Sequence, residues 1–339
     1  MRIAHVMAGA PNGGAELFFE RLALAQAADG KTILPIIRQD AGRAGRLKAL
    51  APVQLGFGGR LDWLTRPRLR AALRRFEPQV VVAWMSRAAE AAPSGSWTLA
   101  GRLGGYYDLR YYRNCRHLIG NTRGIVGWIR DQGWATDRVH YLPNFAPDFK
   151  KDLPGALPAM LPTPPGAPVL LALGRLHRNK AFDVLIRALP LLPGVHAVIA
   201  GEGPERPALE ALARRLEVTG RVHLLGWRTD QASLLAAASM LICPSRHEPL
   251  GNVIIEAFAA GVPVIAADAS GPVELITPGR DGLLVPKEDA GALAGQIRVL
   301  LEDPHLAQGL GTAGRARYEA TFAPTPVLAR WHTVLEGMA

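Results

Sequence analysis

Val169-Leu170-Leu171-Ala172-Leu173-Gly174-Arg175-Leu176-His177-Arg178-Asn179-Lys180-Ala181-Phe182-Asp183 passes from an apolar run to a glycine, then through a loop carrying an Arg and a Lys, into a segment that reads as a helix start. A short apolar run closed by Gly is the pattern of a buried strand, and strand, loop and helix in that order is the unit from which parallel sheets are built. The unit recurs downstream, with strands expected at Val195 to Gly201, Val222 to Gly226, Met240 to Pro244 and Val262 to Ala266. It also recurs upstream, at Ile3 to Ala8, Thr32 to Ile37, Gln79 to Trp84, Thr98 to Arg102 and His117 to Gly120. Between the two series lies Leu153 to Gly166, whose five prolines and two glycines sustain neither helix nor interior strand. The expected division is therefore an N-terminal α/β domain over 1–152, a linker over 153–166 and a second α/β domain over 167–320. After Val285 the spacing turns helical, in Glu288 to Leu301, His305 to Phe322 and Val327 to Leu335, with breaks expected at Pro324 and Pro326. Residues 321–339 are expected to form a helix that returns to the N-terminal domain.

A chain of 339 residues is comfortable for two cores. With 49% hydrophobic and 20% charged residues it has a globular composition, and no apolar run approaches the roughly 18 residues of a spanning helix. Met1 to Ala8 reads as the first strand and lacks the apolar core and cleavage site of a signal peptide. Cys115 and Cys243 stand far apart with no CxxC or His-spaced partner, which argues against a disulfide framework or a structural zinc and fits a reducing cytoplasm. The net charge of +10 attracts phosphate-rich partners without choosing among nucleic acid, lipid headgroups and nucleotides.

The most informative chemistry lies in Pro244-Ser245-Arg246-His247-Glu248-Pro249-Leu250-Gly251-Asn252-Val253-Ile254-Ile255-Glu256-Ala257. Pro249 and Gly251 mark a turn and helix start, so Glu248 is expected in the loop just before the helix and Glu256 about a turn and a half inside it. The amides around Leu250, Gly251 and Asn252 would then point at one ligand, and a helix N-terminus suits an anion such as a diphosphate. An ionised Glu only accepts hydrogen bonds, so Glu248 and Glu256 suit the hydroxyls of a sugar or a ribose. Upstream, Arg175 can grip phosphate with two donors and Lys180 can act as a point charge. Gly201-Glu202-Gly203-Pro204 ends another strand, and its glycines would let backbone approach a ring or a phosphate. Gly9-Ala10-Pro11-Asn12-Gly13-Gly14-Ala15-Glu16 forms a glycine-rich turn after the first strand; it lacks the dinucleotide spacing, and no acid closes the second strand, so NAD is disfavoured and a phosphate-facing turn is expected.

These four pieces in this order resemble family 4 of the glycosyltransferases, retaining enzymes of the GT-B fold, over nearly the whole chain. The resemblance implies two Rossmann-like, doubly wound parallel-sheet domains facing across a cleft, acceptor side first and donor side second. It implies that Glu248 contacts donor-sugar hydroxyls, Glu256 the ribose, and Arg175 and Lys180 the diphosphate of a UDP- or GDP-sugar. Arg175, Lys180 and Glu248 are thus the catalytic candidates; Gly13, Gly14, Gly201, Gly203, Leu250, Gly251, Asn252 and Glu256 are the donor-binding candidates. Retention is expected by front-face displacement, with cations and helix N-termini carrying the charge of the leaving group, no cofactor beyond the nucleotide sugar and no metal. Gly271-Pro272-Val273-Glu274-Leu275-Ile276 also matches the family and reads as structural. One departure is the loop Trp84-Met85-Ser86-Arg87, where many members carry a His; His5 and His117 read as core or surface residues, and His247 is not assigned a role.

The acceptor is expected to be a glycan or lipid-linked, as in bacterial envelope polysaccharide or lipopolysaccharide assembly. Tyr106, Tyr107, Tyr111 and Tyr112 could stack on sugars or line an amphipathic helix. Arg60 to Phe76 holds six Arg against one Asp with Trp63, Leu64, Leu69 and Leu73 interleaved, which suits either a solvated helix or the anionic inner face of a membrane, giving a peripheral cytoplasmic location. The competing readings are a nucleotide-sugar epimerase or phosphorylase of the same fold, a non-catalytic sugar-binding protein, and a basic nucleic-acid binder; widely spread charge and the lack of any nucleic-acid motif exclude the last as a partner class.

Overall fold

The computed structural model describes residues 1–10, 13–58, 62–149 and 161–339. Pro11, Asn12, Arg60 and most of the expected linker lie outside them. The chain divides into two compact units, Met1–Phe145 with Pro324–Ala339, and Ala146–Ala323.

The first unit is built on β1 (Arg2–Met7), β2 (Thr32–Arg38), β3 (Val53–Leu55), β4 (Val80–Trp84), β5 (Thr98–Leu103), β6 (His117–Gly120) and β7 (Val139–Tyr141). They form one parallel sheet in the order β3-β2-β1-β4-β5-β6-β7. Alternation along β4 shows why both faces need helices: Val80, Val82 and Trp84 enter one core cluster, Val81 and Ala83 the other. The second unit repeats the plan with β8 (Val169–Leu173), β9 (His196–Ala200), β10 (Val222–Gly226), β11 (Met240–Cys243), β12 (Val264–Ala267) and β13 (Leu283–Val285), parallel in the order β10-β9-β8-β11-β12-β13. Both sheets are doubly wound, as the alternation of sequence predicts.

The strands expected from sequence stand within two residues of those observed. Those not foreseen, β3, β7 and β13, are all edge strands of three residues. An edge strand pairs on one side only and needs no long apolar run, so composition does not announce it.

The helix Pro324–Glu336 packs in the first unit, burying Val327, Trp331 and Leu335 completely. Trp331 stacks on Trp84 with centroids 6.3 Å apart and planes 12° from parallel. Pro324 and Pro326 were expected to break the helical run; they sit instead in the first turn of this helix, where proline costs no intrahelical bond. The run passes through a π turn at Tyr318–Phe322 and is interrupted at Ala323, whose extended backbone at φ −69° and ψ 155° directly precedes Pro324.

His5 is a core residue. Its Nδ1 accepts from the Trp84 indole at 3.1 Å and its Nε2 lies 2.7 Å from Gln26 Oε1. Burial pushes its pKa down to about 4, against the opposing Gln26 bond and with help from the nearby Arg102 charge. No described helix is long and apolar enough to cross a membrane.

In each sheet the winding direction reverses once, between β1 and β4 and between β8 and β11. Ligands of open α/β sheets bind outside the carboxyl ends of the strands at such reversals.

Candidate functional site

At the reversal in the second unit, two loops leave adjacent strands. The loop after β8 carries Arg175 and Lys180; the loop after β11 carries Glu248 and runs into the helix Asn252–Ala260. The first loop ends in a single turn, Arg178–Lys180, closed by Ala181 in the left-handed region at φ 53°, a conformation that costs a non-glycine residue about 1 kcal/mol or more. That turn aims Lys180 inward. Its Nζ meets Glu248 Oε2 at 2.5 Å, and Ser245 Oγ donates to the same oxygen at 3.1 Å. Burial opposes the charge on Lys180, but the Glu248 carboxylate overrides it and holds the pKa above the ordinary value. Glu248 and Glu256 are both buried, at 7% exposure, so neither is a solvated surface acid. Arg175 is exposed and makes no ion pair among the described residues.

Gly251 caps the helix at φ 98°, in the left-handed region that favours glycine, and the chain turns there from loop to helix. The expected placement of Leu250, Gly251 and Asn252 at a helix N-terminus is observed; Glu256 lies four residues after Asn252, about one turn inside rather than the turn and a half expected. Gly271 accounts for the turn's other wall: its amide donates to the Glu248 carbonyl at 2.8 Å, and a Cβ there would lie 2.2 Å from the Leu250 carbonyl oxygen.

Gly201 and Gly203 have a steric reason to be glycine besides the one their motif suggests. A Cβ on Gly201 would fall 1.8 Å from the Gly174 carbonyl oxygen, and one on Gly203 would fall 2.2 Å from that of Leu176. Their missing side chains let the loop after β9 zip against the loop after β8, through Leu176 N to Glu202 O at 2.9 Å, and thereby shape the site from behind.

Arg246, quoted in the motif without a role, is the strut of this arrangement. Its guanidinium makes a fork to Asp183 at 2.8 and 2.7 Å, pairs with Glu288 at 2.9 Å and donates to the Arg178 carbonyl; its amide donates to Asn179 O. The Asp183 bonds come first in raising its pKa well above normal. Sequence signalled it only as an Arg inside a motif, because its acidic partners are 63 and 42 residues away. His247 is exposed and only its backbone touches Asn179.

Gly13 and Gly14 belong to the first unit, at the corresponding reversal. Gly13 precedes the helix Gly14–Ala28, and the buried Glu16 folds back to accept from Ala10 N at 2.9 Å. A Cβ on Gly13 would sit 2.3 Å from Glu16 Oε2, so the turn holds a carboxylate. A phosphate-facing turn was the expectation; the acid makes this edge a poor phosphate site and a better one for hydroxyls. Across the reversal, Met85 follows β4 at φ 62°, where the loop lacks the family's His.

The tyrosine-rich segment does not present one stacking face. Tyr112 is wholly buried, whereas Tyr106 is 44% exposed and lies edge-on to Trp128 at 5.5 Å. Likewise Leu69 and Leu73 of the Arg-rich segment are in the core, leaving Trp63, 78% exposed, and Leu64 outside.

Comparison with known proteins gives three findings. The family described as Glycosyl transferases group 1 matches residues 167–303. The chain is 35% identical over 329 residues to the lipopolysaccharide core biosynthesis glycosyltransferase LpsE of Rhizobium meliloti, covering 95% of both chains, and 34% identical over 330 residues to LpsD of the same strain, covering 95% and 94%. Its fold superposes with a TM-score of 0.84, at 22% identity and over 99% and 100% of the two chains, on a crystal structure of Anabaena Alr3699/HepE in complex with UDP and glucose.

Proposed function

The chain belongs to the glycosyl transferases group 1 and is a glycosyltransferase of the two-sheet GT-B type; from that premise we propose that it transfers a sugar, with retention, from a nucleotide diphosphate sugar to a growing lipopolysaccharide core. The observation that carries the donor assignment is the Lys180–Glu248 pair at the β8/β11 reversal, beside the Gly251-capped helix. An entering diphosphate competes with Glu248 for Lys180 and brings Arg175 to its other oxygens. Glu248, released from the cation, accepts from hydroxyls of the donor sugar, and Glu256 from the ribose. UDP and glucose in the structural neighbour and the names of the full-length relatives support this reading.

The reaction needs one bond formed and one broken. The acceptor hydroxyl oxygen attacks the anomeric carbon on the face from which the diphosphate leaves; the carbon–oxygen bond to the diphosphate breaks, and the hydroxyl proton passes to the departing phosphate oxygen. The protein's part is to hold the partners in line and to stabilise negative charge on the leaving group, work suited to Arg175, Lys180 and the helix N-terminus. A lipid-linked acceptor also calls for a membrane seat. The exposed Trp63 and the exposed Arg66, Arg68, Arg70, Arg74 and Arg75 support one on anionic lipid.

Calorimetric titration with UDP, GDP and ADP tests the donor site. Selective binding of one nucleotide, weakened at least about tenfold by both Lys180→Ala and Glu256→Ala, is expected; no binding by folded protein overturns the assignment.

A further inference from the structure

Arg102 sits near the carboxyl end of β5, one strand beyond the reversal of the first sheet, and is 1% exposed. Its guanidinium lies 4.7 Å over Trp84 and 5.2 Å over Phe18, and its Nη2 donates to Asn144 Oδ1. Among the described residues it has no carboxylate partner, and its Nε has no acceptor. Burial pushes its pKa down to about 9, with Tyr107 and Tyr112 opposing, so it stays charged at neutral pH. An unneutralised buried cation is costly, and folds keep such groups where something repays the cost.

What faces it is a small cradle. A Cβ built on Gly104 would lie 3.8 Å from Arg102 Nη1, 3.8 Å from Asn121 Nδ2 and 3.9 Å from Tyr107 Oη. The backbone of Gly104 is not in the left-handed region, so glycine there leaves room rather than relieving strain. Gly105 serves the same end: the Tyr107 ring would stand 3.4 Å from a Cβ on it, so the ring folds back over the turn. Three side chains able to donate thus converge near one point, about 1 Å beyond hydrogen-bond length from it. Asn121 is 4% exposed and its Oδ1 has no partner among the described residues; either orientation of its amide leaves a polar atom in the cradle. The carboxylate felt at Tyr107 is that of Glu16, which is engaged with Ala10 N.

We propose that the Gly104 cradle, walled by Arg102, Asn121 and Tyr107, is a subsite for an oxyanion, a carboxylate or a phosphate, carried on the acceptor sugar. The proposal rests on the reading of the first unit as the acceptor side. A charge-assisted fork to Arg102 would select an acidic acceptor over a neutral one of the same shape.

Ligand-observed NMR titrations of the full-length chain with glucuronic acid, glucose 6-phosphate and neutral methyl glucoside test it, with UDP titrated on the same samples. At least one acid is expected to bind about fivefold or more tighter than the neutral sugar, the acid preferred telling carboxylate from phosphate. Gly104→Ala fills the cradle without touching Arg102, and Tyr107→Phe removes one donor; each should erase that preference and leave UDP binding unchanged. Equal binding of acidic and neutral sugars, or a preference that survives Gly104→Ala, overturns the subsite. A preference that is erased by both variants in a chain that binds no nucleotide upholds the subsite and sinks the donor assignment instead.

Discussion

Lys180 and Glu248 hold each other in a partly buried pair, and that mutual hold sets the consequence of removing either one. Lys180→Ala strands a carboxylate that is 7% exposed, so a stability loss of about 1–3 kcal/mol is expected, read by urea denaturation, together with a fall in kcat of about a hundredfold or more. Arg246→Ala should act differently, because the guanidinium touches loops and no expected ligand atom: looser loops should raise the donor KM more than they lower kcat, a split that steady-state kinetics would resolve. At Gly201 the argument is steric. A Cβ 1.8 Å from the Gly174 carbonyl oxygen has nowhere to go, and Gly201→Ala should cost about 3 kcal/mol or more, checked by thermal melting; a melting temperature within about 2 °C of the parent would refute the zipped-loop explanation. The residues Glu248, Glu256, Arg175 and Lys180 could be named from sequence because their spacing is local. Arg246 and Arg102 could not be given roles, since what surrounds each comes from distant segments.

At the scale of elements, the helix Thr65–Phe76 turns Leu69 and Leu73 inward and leaves five arginines in solvent, with Trp63 just ahead of its first turn. Each basic side chain near an anionic surface contributes about 1 kcal/mol, so replacing Arg68, Arg70 and Arg74 by Glu should lower co-sedimentation with phosphatidylglycerol vesicles by about a hundredfold or more and leave binding to neutral vesicles unaltered. Equal recovery with both lipids would remove the membrane role. The interior strands could be read from sequence because burial on both faces demands a continuous apolar run. Three of the four edge strands could not, the five-residue β10 being the exception: β7 is Val-His-Tyr, and its pairing with β6 brings His140 Nε2 to 3.0 Å from His117 Nδ1, a contact no local pattern encodes.

For the molecule as a whole, acid should be the sensitive axis. His5 has a folded pKa of about 4 against 6.5 unfolded, so the unfolded chain binds more protons between those values; the stability it contributes is fully present above pH 6.5 and is lost as pH falls toward 4, on the order of 3 kcal/mol. His117, His140, His196, His223 and His332 are shifted in the same direction, each first by burial. Denaturation midpoints should therefore drop across that window, and His5→Gln should flatten the drop. Removing residues 324–339 should in turn lower the stability of the first unit, whose core loses Val327, Trp331 and Leu335, while the second unit keeps its own transition in calorimetry. By itself the sequence determined the two α/β units, the parallel interior strands, the helix start at Gly251 and which loop carries each candidate site residue, since these depend on neighbours a few positions apart. Only the tertiary structure decided which loops meet: that β8 lies beside β11, that Gly201 is glycine for the sake of Gly174, and that Arg102 faces a cradle with no acid in it. Those outcomes follow from strand order, and strand order is a property of burial over the whole chain.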